Sequence, residues 1–108
     1  MQNSSPVPAS DLENARRIRK MRSFIKAELK KGNKRLEEIL SDKKIYKEYV
    51  SGMKLLEIIK ALPGYGKISS AKLIEKLNIN RCKTVKGLGV NQYARFIDFF
   101  NIQARVND

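Results

Sequence analysis

Apolar residues recur at steps of three and four along most of this chain of 108 residues, which is the spacing of one face of an α-helix. No segment sustains the alternation of polar and apolar residues that a half-buried β-strand requires. The pattern therefore predicts an all-α protein. We expect a flexible tail at residues 1–9, a long basic helix at 10–32, a compact helical domain at 33–101 and a C-terminal tail at 102–108.

The long basic helix is predicted to begin at a capping box, Ser10 to Glu13, and to end at Gly32. Its apolar residues form one stripe, made of Leu12, Ala15, Ile18, Met21, Ile25 and Leu29. Eight lysines and arginines fill most of the remaining surface, with few glutamates at the spacing that would support them. We expect a basic rod that protrudes from the domain and is docked by one end of its stripe. The alternative is a surface helix whose charges only keep it soluble.

Shorter apolar patterns predict the remaining helices. Asn33 is expected to cap a short helix, residues 43–50 to form one or two further turns, and residues 53–62 to form a helix whose apolar side chains are nearly all buried. Asn91 is expected to cap the last helix. The residues expected on the inner face of that last helix are Val90, Tyr93, Phe96, Ile97 and Phe100.

A glycine-rich turn, Leu-Pro-Gly-Tyr-Gly-Lys at residues 62–67, joins two of these helices and is the most informative stretch of the chain. Pro63 ends the first helix, and either Ser69 or Ser70 can cap the second. The same pattern is also an ordinary way to connect two helices. The residues of the turn alone therefore leave open whether it has a function beyond joining them.

The functional interpretation of this turn is a phosphate-binding site. Gly64 and Gly66 leave backbone N–H groups uncovered by side chains, beside the N-terminal end of a helix, where the helix dipole favours an anion. Lys67 adds a mobile positive charge next to them. The pattern resembles the helix-hairpin-helix signature of proteins that bind DNA without sequence preference. A basic connector at residues 80–91 follows, and it contains a second glycine-flanked turn at 87–89.

The charge balance favours a polyanionic partner. Lysine and arginine number 23 against 11 acidic residues, so the net charge is +12. Such an excess on a small protein is typical of nucleic-acid binding, with an anionic membrane surface as the other candidate. No apolar run approaches the roughly 20 residues that span a bilayer, and no signal-peptide pattern opens the chain. These features predict a soluble, intracellular protein.

The side chains that most enzymes use are missing. The chain has no histidine and a single cysteine, Cys82, which excludes a disulfide within one chain, Cys/His zinc sites and Ser–His or Cys–His catalysis. A DNA-repair lyase would need an activated amine beside a carboxylate, and Lys72 and Asp98 cannot be paired from sequence. We therefore expect no enzyme activity, no cofactor, no metal site and no small-molecule substrate.

Two motifs at a fixed separation carry a family resemblance. Leu-Pro-Gly-x-Gly-Lys at residues 62–67 and Val-Lys-Gly-Leu-Gly-Val-Asn-Gln at residues 85–92 follow a basic N-terminal helix. Over residues 10–101 the chain resembles the actinobacterial type of integration host factor, a single-chain nucleoid protein. The resemblance implies a long helix followed by a helix–two-turns–helix domain. It also implies low-specificity binding of duplex DNA through the phosphate backbone, with bending or compaction of the DNA and support of phage integration, recombination and replication.

The resemblance also implies which residues contact the DNA backbone, all of them in the first turn or the connector: Gly64, Gly66, Lys67, Arg81, Lys83 and Lys86. The wider candidate set adds residues of both turns and of the basic helix: Tyr65, Gly87, Gly89, Asn91, Gln92, Arg16, Arg19, Lys20 and Lys26. Two positions depart from the family pattern, since Thr84 replaces an expected arginine and Cys82 an expected serine. Cys82, between Arg81 and Lys83, is either a small side chain without special function or a redox-sensitive thiol.

Double-stranded DNA is thus the expected partner, with a phage integrase as a further partner on the DNA and a monomer expected off it. The expected location is the cytoplasm, at the nucleoid, with no membrane contact. The alternative is an RNA-binding or ribosome-associated protein, because helix–two-turns–helix elements also occur in ribosomal proteins and a basic helix can lie in an RNA groove. Against this alternative, the C-terminus at residues 101–108 is nearly neutral, whereas ribosomal proteins usually carry long basic tails.

Overall fold

A computed structural model describes the backbone of residues 9–107 and the side chains of residues 11–101. Within these residues the elements are α1 (Ala9–Lys31), α2 (Leu36–Ser41), α3 (Lys43–Ile45), a π-helical turn (Tyr46–Val50), α4 (Leu55–Ala61), α5 (Lys67–Lys76), a 3-10 turn (Val85–Gly87) and α6 (Val90–Asn107). The β-type pairing found among them is an isolated bridge between Lys54 and Thr84. The all-α fold class is confirmed.

Helix α1 is attached to the rest of the molecule by its C-terminal half. Ile25 and Leu29 are buried in the core, whereas Leu12 near the other end of the stripe is 46% exposed. The helix ends where glycine permits the left-handed conformation, at Gly32 with φ of +80°. The N-terminal half of α1 projects from the core, and the molecule extends over 59 × 28 × 26 Å. Docking by one end of the stripe agrees with the sequence pattern.

The predicted bounds of the terminal helices need correction. Helix α1 already includes Ala9, so the capping box expected to begin at Ser10 is wrong. The rest of the expected tail at 1–9 lies outside the described residues. Helix α6 continues to Asn107 because the chain has no glycine or proline after residue 90 to end it. The expected C-terminal tail at 102–108 is therefore helical through Asn107.

The start of α2 also differs from the prediction. Its N-cap is Arg35, whose backbone N–H donates to Glu38 Oε1 at 2.8 Å. Asn33 does not cap this helix, since its amide donates instead to Glu28 Oε2 at 3.3 Å. The Glu38 carboxylate thus bonds the N–H of the N-cap residue, as in a capping box, and the helix begins two residues later than a cap at Asn33 would place it.

The core lies where α4 packs against α1 and α5. Leu55, Ile58 and Ile59 of α4 are fully buried, and Phe96 of α6 is buried in the same core. Val90 was expected on the inner face of α6 and is instead 88% exposed, because it is the first residue of the helix and lies at the surface. The core thus fixes the relative positions of the two glycine turns and α1.

Candidate nucleic-acid interface

The first glycine turn is a type II β-turn. Tyr65 N–H donates to the carbonyl of Leu62 at 3.1 Å, with Pro63 and Gly64 at the two central positions. Gly64 has φ of +86°, the conformation that the third position of this turn requires and that glycine adopts without strain. The tight turn expected between α4 and α5 is therefore present, and it directs the chain into the first residue of α5.

The N-cap of helix α5 lies three or four residues before the predicted serine cap. Gly66 is its N-cap, and Gly66 N–H donates to Ser69 Oγ inside the helix at 2.8 Å. Ser70 is buried, and its hydroxyl donates to the Gly66 carbonyl at 2.6 Å. Neither serine is the N-cap, so that prediction is wrong. The Gly66 N–H is thus occupied, and the N–H groups without an intrahelical acceptor are those at positions 67–69, in the first turn of α5.

A shallow groove beside α5, which we call the α5 groove, brings residues of the first turn and the connector together. Lys67, Ile68 and Lys72 line it from α5, and Arg81 lines it from the connector, with Glu75 as its acidic member. Sequence reasoning considered Lys72 only as an amine for lyase chemistry and so missed it as part of this surface. Helical spacing did not indicate it, because residues five apart are separated by about 140° around a helix and so do not share a face.

An apolar side chain stands within this basic groove. Ile68 is 71% exposed, although it is the second residue of α5 and is flanked by charged positions of the groove. A single exposed isoleucine is common on protein surfaces. Its location next to the open N–H groups of α5 nevertheless gives any ligand of the groove an apolar contact beside the charged ones.

The two connector lysines lie at the opposite end of α4 from the first glycine turn. The carbonyl of Lys83 accepts from Leu55 N–H at 3.0 Å, and Lys86 N–H donates to the carbonyl of Ser51 at 3.0 Å. These bonds hold the connector against the start of α4, while both lysine side chains remain exposed. Lys83 and Lys86 are consequently not part of the α5 groove, whereas Arg81 is.

The second glycine turn leads into α6 with the same contact that the first makes at α5, a glycine N–H bonded to the side chain of the third helical residue. Gly89 N–H donates to Gln92 Oε1 inside the helix at 3.0 Å, and Gln92 Nε2 donates to the carbonyl of Asn78 at 3.3 Å. Because α6 begins at Val90, Asn91 is its second residue, and the prediction that Asn91 caps it is wrong. Gly87 lies in the preceding 3-10 turn.

Helix α1 presents three of its four candidate residues to solvent. Arg16, Arg19 and Lys20 are exposed and form no ion pair among the described side chains. Lys26 Nζ lies 3.5 Å from Glu57 Oε1, and the other oxygen of that carboxylate is 3.3 Å from Lys60 Nζ. Burial raises the pKa of Glu57, but hydrogen bonds and charges from Lys60 and Lys26 outweigh it, so the pKa lies below its ordinary value. Lys26 is therefore the candidate whose charge is already partly compensated.

Lys30 links α1 to the first glycine turn, which the sequence did not indicate. Its Nζ donates to the carbonyls of Lys60 and Tyr65, both at 3.1 Å. The Tyr65 ring lies against Phe100, with 6.1 Å between ring centres, and burial raises the pKa of its hydroxyl. The side chain of Tyr65 thus packs against α6, and its carbonyl is held from α1. Among the basic residues of α1, Lys30 is therefore the one that holds the backbone of the first glycine turn.

Two kinds of feature are absent from the part of the chain that the structure describes. Between residues 9 and 107 no helix combines the length and apolar character needed to cross a membrane. Among side chains 11–101 no cluster of three or more Asp, Glu, Cys or His side chains is arranged to hold a metal ion.

Comparison with known proteins gives consistent matches over most of the chain. A family model described as an S13-like H2TH (helix–two-turns–helix) domain matches residues 29–100. The integration host factor of Streptomyces coelicolor is 33% identical over 86 residues, which cover 80% of this chain and 79% of that protein. The integration host factor of Mycolicibacterium smegmatis is 30% identical over 93 residues, covering 86% and 88%. That of Mycobacterium tuberculosis is 30% identical over 92 residues, covering 85% and 87%.

A solved structure is also similar in fold. The structure of sIHF bound to an 8 bp palindromic DNA aligns with a TM-score of 0.71 at 31% sequence identity. The alignment covers 82% of this chain and 98% of that one. Sequence and fold therefore point to the same set of relatives.

Proposed function

Because the chain belongs to the actinobacterial integration host factor family, we propose that it binds duplex DNA through the phosphate backbone with little sequence preference. The family consists of non-enzymatic factors, and in the similar solved structure sIHF is bound to DNA. The protein is on this basis a bacterial nucleoid protein.

The observation that carries the proposal is the convergence of charge in the α5 groove. Lys67, Lys72 and Arg81 come from two separate stretches of sequence and line one depression beside the open N–H groups of α5. Backbone N–H groups at a helix N-terminus and mobile cations together form the usual setting for a phosphate. Within the groove only Glu75 opposes them.

Low sequence preference follows from the kinds of side chain in the interface. Lysine acts as a point charge on phosphate oxygens, whereas arginine is the residue that most often reads guanine edges with two parallel hydrogen bonds. Of the groove residues only Arg81 is an arginine. Phosphate contacts fix where the protein lies but carry no sequence information.

The exposed cations of α1 extend the proposed interface and support bending or compaction. Arg16, Arg19 and Lys20 lie on the projecting half of a molecule whose longest dimension is 59 Å. At about 3.4 Å per base pair, that dimension spans about 17 base pairs. If the groove and α1 hold separate stretches of backbone, a duplex must follow the angle between them, which bends it. Support of recombination, replication and phage integration, with a phage integrase as a partner, rests on such bending.

The test is binding of a random duplex, measured by fluorescence anisotropy over a salt series. Release of counterions from about five to eight phosphates should make log K fall by about 0.9 per phosphate for each decade of salt. Replacing Lys67, Lys72 and Arg81 by alanine should reduce that slope. The matched control replaces Lys31, Lys34 and Lys43, three lysines outside the candidate set, and should change it less. Binding that is indifferent to salt would contradict the proposal.

RNA is the second candidate partner. The matching family model is described as S13-like, and helix–two-turns–helix elements also occur in ribosomal proteins. Competition between labelled duplex DNA and a structured RNA of the same length decides between them. A preference for RNA of about tenfold, equivalent to about 1.4 kcal/mol, would replace the DNA proposal with the RNA one.

A further inference from the structure

Tyr49, in the π-helical turn, holds two arginines of α1 at once. The Arg17 guanidinium donates from Nη1 to Tyr49 Oη at 2.6 Å. One and a half turns further along α1, Arg22 donates from Nε to the Tyr49 carbonyl oxygen at 2.9 Å. Tyr49 is itself buried, so both arginines bind a residue that the core keeps in place.

The contact to Arg17 is made by several groups together. Its Nη1 also lies 3.6 Å from Glu48 Oε2, and its Nη2 donates to Asn14 Oδ1 at 2.7 Å. The guanidinium carbon is 5.7 Å from the centre of the Tyr49 ring, within the range of a cation–π interaction. Arg17 is thus engaged within the protein, in contrast to its neighbour Arg16.

The contact to Arg22 uses a carbonyl that the helix leaves unpaired. The last carbonyls of a helical segment have no partner within it, and a cation near them is favoured by the helix dipole. Space for Arg22 is provided by Gly52, since a β-carbon there would lie 2.5 Å from Arg22 Nη2. The Arg22 side chain thus lies against the turn at Gly52 and the end of the π-helical turn.

Tyr49 is the last strong attachment of α1 before the helix projects. Ile25 and Leu29 anchor its C-terminal end, whereas Leu12 and Arg16 on the far side of Arg17 are exposed. From Arg22 to Ala9 the helix runs 13 residues, or about 20 Å at 1.5 Å per residue. A small rotation about the buried end therefore displaces the N-terminal half of α1 by several ångströms.

We infer that Tyr49 is a positioning residue which sets the direction of α1 relative to the first glycine turn and so sets the path of a duplex held by both. The inference rests on the proposed function. It assigns to Arg17 and Arg22 a role in geometry, while Arg16, Arg19 and Lys20 are left to contact phosphates.

The first experiment measures the direction of α1 in the free protein. Cys82 is exposed and is the single native cysteine, so a Glu13→Cys variant carries two spin labels whose separation reports on α1. Tyr49→Phe keeps the ring and removes the acceptor for Arg17. We expect a broader distance distribution, because loss of a hydrogen bond to a charged group lowers the ratio of docked to released α1 by about tenfold.

Two comparisons separate this effect from general loosening. Tyr46→Phe is the matched control in the same turn, and it should leave the distribution narrow. Arg17→Met should broaden the distribution at least as much as Tyr49→Phe does, because it also removes the contacts to Glu48 and to the ring. Adding Tyr49→Phe to Arg17→Met should change little, since the hydrogen bond between them is already lost. An unchanged distribution in both single variants would overturn the inference.

The second experiment measures DNA geometry with the native cysteine pattern. A duplex of about 10 base pairs is about 34 Å long, shorter than the 59 Å molecule, and is expected to be held mainly by the groove. Its affinity for Tyr49→Phe should stay within about twofold of the unaltered protein. On a doubly end-labelled duplex of about 30 base pairs, energy transfer should show a changed bend. A broadened distance distribution for α1 together with an unchanged DNA bend would overturn the link to the DNA path. If the unaltered protein binds neither duplex, the proposed function itself fails.

Discussion

Gly64 and Gly66, separated by one residue, differ in what their backbone conformations demand. Gly64 has φ of +86°, a backbone conformation that is strained for any residue with a β-carbon. Gly66 has φ of −125° and ψ of −166°, an extended conformation that other residues adopt, and a β-carbon there would meet no atom within 4 Å. The fold therefore needs a glycine at position 64, whereas position 66 is free to serve close approach of a ligand.

This difference predicts that two neighbouring alanine substitutions separate folding from binding. Gly64→Ala should lower the free energy of unfolding by about 1–2 kcal/mol because of its left-handed conformation. Gly66→Ala should lower that free energy by less, because its conformation is unstrained although alanine is a poorer N-cap than glycine. It should also weaken DNA binding several-fold, since it adds a methyl group next to the open N–H groups of α5. Urea unfolding and anisotropy measure the two effects. Full DNA affinity in Gly66→Ala would show that no ligand approaches this backbone.

Glu57 gives the molecule a defined response to acid. Its ordinary pKa is about 4.5, and pairing with Lys60 and Lys26 lowers it in the folded protein despite burial. A lowered carboxyl pKa contributes stability above the ordinary value, and that contribution is lost as the pH falls through the lowered one. As the pH falls below about 4.5, the free energy of unfolding of Glu57→Gln should therefore decrease less than that of the unaltered protein. Urea midpoints over a pH series measure this. Parallel pH profiles would contradict the assigned pairing.

At the scale of elements, helix starts are where sequence and structure differ most consistently. The patterns correctly predicted where helices occur, because apolar spacing records which face is buried. They placed caps at Asn33, Ser69 or Ser70, and Asn91. In the structure, the N-cap N–H of α2, α5 and α6 instead donates to a side chain on the third residue of the same helix. A side chain at the third position bonds the N–H of the N-cap residue, whereas an N-cap side chain bonds N–H groups of the first turn. Neither residue type by itself fixes which position is the N-cap, so sequence alone misplaced the starts.

Ser69 is the element-scale test of this arrangement. Ser69→Ala removes the acceptor for Gly66 N–H and should lower the free energy of unfolding by about 1 kcal/mol. Ser23→Ala is the control, since Ser23 is exposed within α1 and alanine favours helix. Thermal unfolding of both variants measures the difference. Equal melting temperatures would mean that the contact to Ser69 does not stabilise the start of α5.

At the scale of the whole molecule, the α5 groove was beyond prediction from local pattern. The net charge of +12 indicated a polyanionic partner, and Lys67 could be placed from its glycine turn. Arg81 joins Lys67 only because the connector returns along α5 and is then held by the bond from Leu55 N–H to the Lys83 carbonyl. Tertiary packing of this kind also separates Lys83 and Lys86 from the groove, although they are near Arg81 in sequence.

The distribution of charge over two surfaces predicts a dependence on duplex length. Replacing Arg16, Arg19 and Lys20 by alanine should cost little affinity for a duplex of about 10 base pairs, which at about 34 Å is shorter than the 59 Å molecule and is expected to be held mainly by the groove. On a duplex of about 30 base pairs the same variant should bind more weakly, with a salt slope reduced by up to about 2.7 for three lost phosphate contacts. Anisotropy titrations on both duplexes measure this. Equal losses on both would mean that α1 and the groove bind the same stretch.

The Lys30 ammonium group makes the docking of α1 and the shape of the first glycine turn one equilibrium. Releasing the C-terminal end of α1, which carries Lys30, would remove the shared donor of two carbonyls, those of Lys60 and Tyr65. Thermodynamic linkage is reciprocal, so whatever holds the turn in place also holds that end of α1. A phosphate bound at the turn would therefore protect α1 from proteolysis even on a duplex too short to touch the helix. Ligand binding at the turn would in this way change the stability of a distant helix through one side chain, Lys30.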